Sequence, residues 1–293
     1  MDFIIDFIKV LLLSIVEGVT EFLPISSTGH LILVNEFLSL KDPTFSNAFN
    51  IIIQLGAIFA IVLIYFKKLN PWSKEKMKRP RAYNQWNWQT RTYWTIKHFD
   101  QKTMALWGKV LIGVIPAGVL GILLDDYIDA KLMNRQVVTA TLLIYGVLII
   151  LVEEWNKKRQ KIQIHQTEEI NYKTAFLIGC FQCLAMVPGT SRSAATIIGG
   201  MLLGLSRTPA AEFSFFIAIP TMLGATLLKI IKNIAGFSAY QWFLILLGFL
   251  FSFFVAYLVV KKFLSYIQKH DFKVFGYYRI ALAFLLVLQI LIF

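Results

Sequence analysis

Two short stretches of this chain carry residue types that apolar sequence rarely holds. The first reads Glu17-Gly-Val-Thr-Glu21-Phe-Leu-Pro24-Ile-Ser26-Ser27-Thr28-Gly29-His30. Glu17 and Glu21 are four apart, so on a helix their carboxylates share one face. Pro24 is expected to end that helix, because its ring blocks the preceding turn. Ser26, Ser27 and Thr28 then form a hydroxyl-rich turn suited to capping the next helix, with His30 in its first turn. The second stretch reads Pro188-Gly189-Thr190-Ser191-Arg192-Ser193-Ala194-Ala195-Thr196. It too reads as a break followed by a helix N-terminus, where backbone N–H groups and the helix dipole favour an anion. Arg192 adds a planar fork that matches phosphate oxygens.

Together these residues point to phosphoryl transfer, in which positioning and charge neutralisation do most of the work. Glu17 and Glu21 are candidate ligands for a divalent cation, Mg²⁺ or Ca²⁺, held jointly with substrate phosphates. Ser27 is a candidate nucleophile. His30, three residues on, is placed to meet Ser27 on one helix face and to manage its proton, helped by an imidazole pKa of about 6.5. Arg192 is expected to clamp the phosphoryl group. Ser26, Thr28, Gly189, Thr190, Ser191, Ser193 and Thr196 are candidate substrate contacts. Three alternatives stand beside this reading. A metal-bound water could attack in place of Ser27. Ser27 could simply cap its helix. Arg192 could serve only to pair with Glu17 or Glu21.

The elements that must position these groups are membrane helices. The chain has 293 residues, 57% hydrophobic and 16% charged, with a mean hydropathy of +0.64. A soluble domain carries about 25% charge, so an ordinary soluble enzyme, a disordered tail and a disulfide scaffold are excluded. An all-α integral membrane protein is predicted. Six runs approach the ~20 apolar residues that a bilayer core requires: Asn47–Phe66, Ala105–Leu124, Gln136–Val152, Glu212–Ile231, Tyr240–Val260 and Phe275–Phe293. Two further stretches, Phe3–Leu38 and Thr174–Leu205, are apolar but broken by the two clusters above and are predicted as re-entrant hairpins.

The net charge of +12 comes from short basic loops, as the positive-inside rule requires, and does not call for nucleic acid. Lys67–Lys102, Glu153–Lys173 and Lys261–Lys273 are placed inside and the acid-rich Asp125–Arg135 outside. The first hairpin then opens on the outer side and the second on the inner. Within Pro71–Phe99, Trp72, Trp86, Trp88 and Trp94 among basic residues read as a headgroup-level belt, although such interleaving also binds single-stranded nucleic acid. Cys180 and Cys183, one turn apart, read as helix-packing residues, since two cysteines cannot close a structural zinc site. No cleavable leader is expected, because the first apolar run carries Asp2, Asp6 and Lys9 in place of a basic start.

The two broken stretches also align with each other. Leu23-Pro24-Ile25-Ser26-Ser27 falls on Val187-Pro188-Gly189-Thr190-Ser191, Phe49 falls on Phe213 in the same register, and Gly18–Glu21 falls on Gly179–Gln182 after a small register change. Each half is a broken hairpin followed by three crossings, and three is odd. The second half, 174–293, is therefore expected to be inverted relative to the first, 1–152, within a single membrane domain of 1–293. Such inverted repeats place their polar site near the midplane.

EGVTEFLPISSTGH and PGTSRSAAT resemble the two signature motifs of the undecaprenyl pyrophosphate phosphatase family, the bacitracin-resistance BacA type, and IGCFQCLA, EFSFFIAIP and LGAT extend the likeness over nearly the whole chain. The resemblance implies removal of the terminal phosphate of a polyprenyl pyrophosphate at the outer face of a bacterial plasma membrane, with a divalent cation. It also implies an active site lined by Glu17, Glu21, Ser26, Ser27, His30, Ser191, Arg192, Ser193 and Thr196. Ala194 departs from the family pattern, where a second Gly is expected, and the 71–99 loop is long. A homodimer is compatible with this reading, and the rival function is a carrier for a phosphorylated polyprenyl lipid.

Overall fold

The computed structural model describes residues 2–38, 40, 42–73, 80–158, 163–233 and 236–292. Among these the chain is all helical, with one isolated bridge pairing Ile164 with Leu205 and no strand. In order the helices are α1 (Asp2–Thr20), α2 (Ser27–Leu38), α3 (Pro43–Ile64), α4 (Phe66–Leu69), α5 (Trp88–Lys97), α6 (Gln101–Lys131), α7 (Arg135–Lys158), α8 (Tyr172–Cys183), α9 (Arg192–Leu202), α10 (Arg207–Asn233), α11 (Ala239–Ile267) and α12 (Lys273–Ile292). Their starts follow local chemistry. Asp42, Asn87, Asp100 and Asn171 each accept a first-turn backbone N–H, and Ser238 with Gln241 closes a capping box.

Five helices among the described residues are long and apolar enough to cross a membrane: α3, α6, α7, α10 and α11. The sixth expected run coincides with α12, a 20-residue helix. The acid-rich stretch Asp125–Arg135, expected as an outer loop, is mostly helix. α6 continues through Lys131 before a short turn at 132–134 and the start of α7. A helix of 31 residues is longer than one bilayer crossing needs. The basic stretches 74–79 and 159–162 lie outside the described residues. Of the 71–99 loop, α5 is described together with an aromatic cluster of Tyr83, Trp86, Trp94 and His98, while Trp88 stays exposed.

Packing places the two broken stretches in equivalent surroundings. α1 lies on α11 through Gly18, where a side chain would collide with Val255 and the Ser252 carbonyl. α8 lies on α6 through Gly179, where a side chain would overlap the Gly113 carbonyl. α3 packs on α10 and α7 on α12. Both breaks come to this common interior. α9 is buried from Ser193 to Met201, so the surrounding helices enclose it. Only one of the two cysteines packs as expected: Cys183 is half-buried with its thiol on the Gly179 carbonyl, and Cys180 is exposed.

Candidate active site

Each break is organised by one serine in a strained backbone. Helix α1 ends at Thr20, four residues before Pro24, with a last helical bond from the Glu21 amide to the Glu17 carbonyl. Ser26 then adopts φ +74 and accepts the Gly29 amide at 3.2 Å, capping α2. At the second break Gly189 has φ +86 and Ser191 φ +71, and Ser191 accepts the Ala194 amide at 3.3 Å, capping α9. Among the described residues only these two serines combine positive φ with a side chain. Such strain persists only where the surroundings impose it and is concentrated at functional sites. In φ and capping role Ser26 corresponds to Ser191, one residue beyond the Thr190 expected from the alignment.

The breaks meet through side chains. Ser27 Oγ donates to Glu21 Oε2 at 2.7 Å, and Arg192 Nη2 donates to Glu21 Oε1 at 3.2 Å. Arg192 Nη1 donates to the Ser214 carbonyl of α10 at 3.0 Å, and its guanidinium lies over the Phe22 ring. Ser193 Oγ donates to the Leu23 carbonyl at 2.9 Å, tying α9 to the first break and leaving Ser191 to donate to Ser193. Thr196 donates to Ser214 Oγ at 2.7 Å. Thr28 is half-buried in the first turn of α2, and Thr190 is buried in the second break. One compact cluster therefore gathers Glu17, Glu21, Ser27, Arg192, Ser193 and Thr196.

The expected meeting of Ser27 with His30 does not form. His30 Nδ1 sits 2.7 Å from the Ser26 carbonyl, which can only accept, so Nδ1 carries a proton. Nε2 lies 2.7 Å from the hydroxyl of Tyr278, whose ring stacks parallel on the imidazole. The Ser27 hydroxyl instead donates to Glu21, reached because the turn after Thr20 folds Ser27 back onto α1. Sequence reading also missed Tyr278, Ser214 and Arg279. Arg279 is fully buried and donates to the carbonyls of Pro24 and Gly189. The one signal was the isolated arginine of GYYRIAL in an otherwise apolar run.

A divalent cation fits this donor set. Glu17 is fully buried, and among the described residues neither carboxylate oxygen has a hydrogen-bond donor. Its neighbours in charge are Glu21 and Arg192. Among the described residues no group of three or more His, Cys, Asp or Glu is gathered in one place, so the protein offers two carboxylates. That suits an ion such as Mg²⁺, which is commonly bound by one or two carboxylates together with substrate phosphates.

A cleft of about 550 Å³ opens elsewhere, lined by Glu153, Lys157, Ser206, Arg207 and Thr208. Its charges are already matched. Glu153 accepts Arg207 Nη2 at 2.7 Å and the Phe272 amide at 2.8 Å. Partial burial works against the Asp271 charge. Even so, the Lys157 ammonium, the Lys273 amide and nearby Arg207 hold that carboxyl below its usual range. The cleft lacks a hydroxyl aimed at a carboxylate beside a free arginine edge, and the breaks supply one.

A family model described as bacitracin resistance protein BacA matches residues 10–285. The undecaprenyl-diphosphatase of Lactiplantibacillus plantarum is 48% identical over 287 residues, covering 97% of this chain and 97% of that one. That of Fusobacterium nucleatum subsp. nucleatum is 49% identical over 282 residues, covering 95% and 98%. Undecaprenyl-diphosphatase 1 of Clostridioides difficile is 46% identical over 280 residues, covering 95% and 94%.

Proposed function

The chain belongs to the BacA family of bacitracin resistance proteins, and from that premise we propose that it hydrolyses undecaprenyl pyrophosphate to undecaprenyl phosphate and inorganic phosphate. The observation that carries this reading into the site is the Ser27–Glu21–Arg192 chain of hydrogen bonds. Ser27 Oγ attacks the terminal phosphorus as its proton passes to Glu21. The bridging P–O bond breaks, and undecaprenyl phosphate leaves. Water then cleaves the phosphoserine, inorganic phosphate departs, and the proton returns to Ser27. Arg192 and the N-termini of α2 and α9 neutralise the phosphoryl oxygens. His30, held by Tyr278 and the Ser26 carbonyl, fixes the Ser26 turn from which Ser27 projects.

Purified protein in detergent, with no membrane to cross, should release phosphate from the lipid pyrophosphate. A lipid carrier would bind the lipid and release none.

Glu17 and Glu21 are the residues that would hold a divalent cation, which when bound supplies positive charge to the substrate's phosphate oxygens. Excess chelator should therefore abolish phosphate release, and added Mg²⁺ or Ca²⁺ should restore it. Activity that survives chelation would leave the carboxylates with only their base and ion-pair roles.

The topology follows the same reading. Six crossings, α12 included, and two re-entrant hairpins form a single domain of two inverted repeats, 1–152 and 174–293. The paired contacts α1–α11 with α6–α8, and the matched serine caps, support it. The protein lies in the bacterial plasma membrane with the site open to the outer face. In a background lacking Cys180 and Cys183, Met133→Cys should react with an impermeant thiol reagent from outside, and Thr90→Cys only after permeabilisation. The reverse pattern would invert the orientation and close the site to the outer face.

A further inference from the structure

Arg279 stands outside the catalytic chain, yet it touches both breaks. It is fully buried on α12, and among the described residues no carboxylate pairs with it. A buried guanidinium is costly unless its donors are satisfied. Here the acceptors are backbone carbonyls. Nη2 donates to Gly189 at 2.8 Å and to Thr141 at 3.3 Å, Nη1 to Pro24 at 3.4 Å, and Nε to Leu142 at 3.4 Å. The same turn of α7 reinforces the second break, since Thr141 Oγ1 donates to the Pro188 carbonyl at 2.7 Å.

The positions of these carbonyls give the arrangement a consequence. Pro24 stands three residues before Ser27, and Gly189 stands three residues before Arg192. One planar fork therefore holds the two turns that carry the attacking hydroxyl and the phosphoryl clamp. The breaks belong to different hairpins, and each has a strained serine that its surroundings must impose. We propose that Arg279 is a positioning residue that sets Ser27 against Arg192 by holding the Pro24 and Gly189 carbonyls on one guanidinium. The inference rests on the phosphatase reading. It differs from carbonyl satisfaction alone in that misplacement by about 1 Å costs on the order of 10² in rate without loss of fold.

The test uses full-length protein in detergent, with turnover normalised to folded protein. Arg279→Lys should keep the buried charge and lose the fork, because a single ammonium cannot span both turns in fixed geometry. The expected result is a kcat about 10²-fold lower with KM little changed. Combining it with Arg192→Lys should cost far less than the product of the two losses, since both disturb one alignment. A wild-type kcat in Arg279→Lys, or losses that simply multiply, would overturn the proposal. If Arg279 variants do not fold, Thr141→Val loosens the second break alone. It should lower kcat about tenfold at constant KM, and an unchanged kcat there would also overturn it. Wild-type protein that releases no phosphate would instead sink the phosphatase reading itself.

Discussion

Arg192→Lys is expected to lower the kcat for phosphate release by about 10²–10³-fold, the usual cost of removing a preorganised donor from a developing oxyanion. The reason lies in how the guanidinium is already held. One edge donates to Glu21 and another to the Ser214 carbonyl, while the plane lies over Phe22, which itself packs edge-on against Phe215. These contacts fix the orientation before substrate arrives, so the remaining donors meet the phosphoryl group without reorganisation. A lysine ammonium can reach one of these partners, and it presents a point charge in place of a fork. The substitution also separates two roles. If Arg192 serves only to neutralise Glu21, lysine keeps the charge and turnover stays near wild type. Steady-state kinetics on folded Arg192→Lys, beside Arg192→Gln, reads the difference directly.

The apolar helices and the places where the two polar stretches break them were legible in the sequence because their signals are local. Twenty-residue apolar runs, a proline followed by hydroxyls, and carboxylates one turn apart are all patterns within a short window. That is why α3, α7, α10 and α11 fall close to their expected ranges, and why both breaks sit where Pro24 and Pro188 stand. The Arg192–Glu21 pair between the breaks was among the alternatives the residue types offered, but partner choice around Ser27 and His30 was not visible. Spacing alone places Ser27 and His30 on one helix face. The positive φ at Ser26 and the turn after Thr20 instead send Ser27 back to Glu21, and His30 outward to Tyr278, which is 248 residues away. Arg279 was hidden for the same reason: its acceptors are carbonyls of distant turns, and a carbonyl leaves no trace in residue type. α6 runs past its expected end at Leu124 because Asp125–Lys131 holds no proline or glycine to break the helix.

Ser27→Ala is expected to reduce phosphate release by about 10⁴-fold or more, the scale seen when a nucleophile is removed. Ser27 is half-buried at the start of α2, and its only described side-chain hydrogen bond is the 2.7 Å donation to Glu21. Capping belongs to its neighbour, since Ser26 accepts the Gly29 amide. Alanine at 27 should therefore leave the helix start intact, without the ~1 kcal/mol penalty of a lost cap. A large loss of turnover then reports chemistry and not stability. Glu21→Gln should be nearly as damaging, because it removes the proton acceptor and leaves Arg192 without its carboxylate. His30→Ala should cost much less, since the imidazole is hydrogen-bonded to the Ser26 carbonyl and Tyr278 and not to the Ser27 hydroxyl. The decisive measurement is a single-turnover reaction with lipid labelled at the terminal phosphate, quenched in acid. Wild-type protein should carry label on Ser27, with Ser27→Ala folded, inactive and unlabelled. A folded Ser27→Ala that keeps most of its rate would remove the serine from the mechanism. An inactive Ser27→Ala with no trappable phosphoserine in wild type would move the attack to water and leave Ser27 to orient the phosphate.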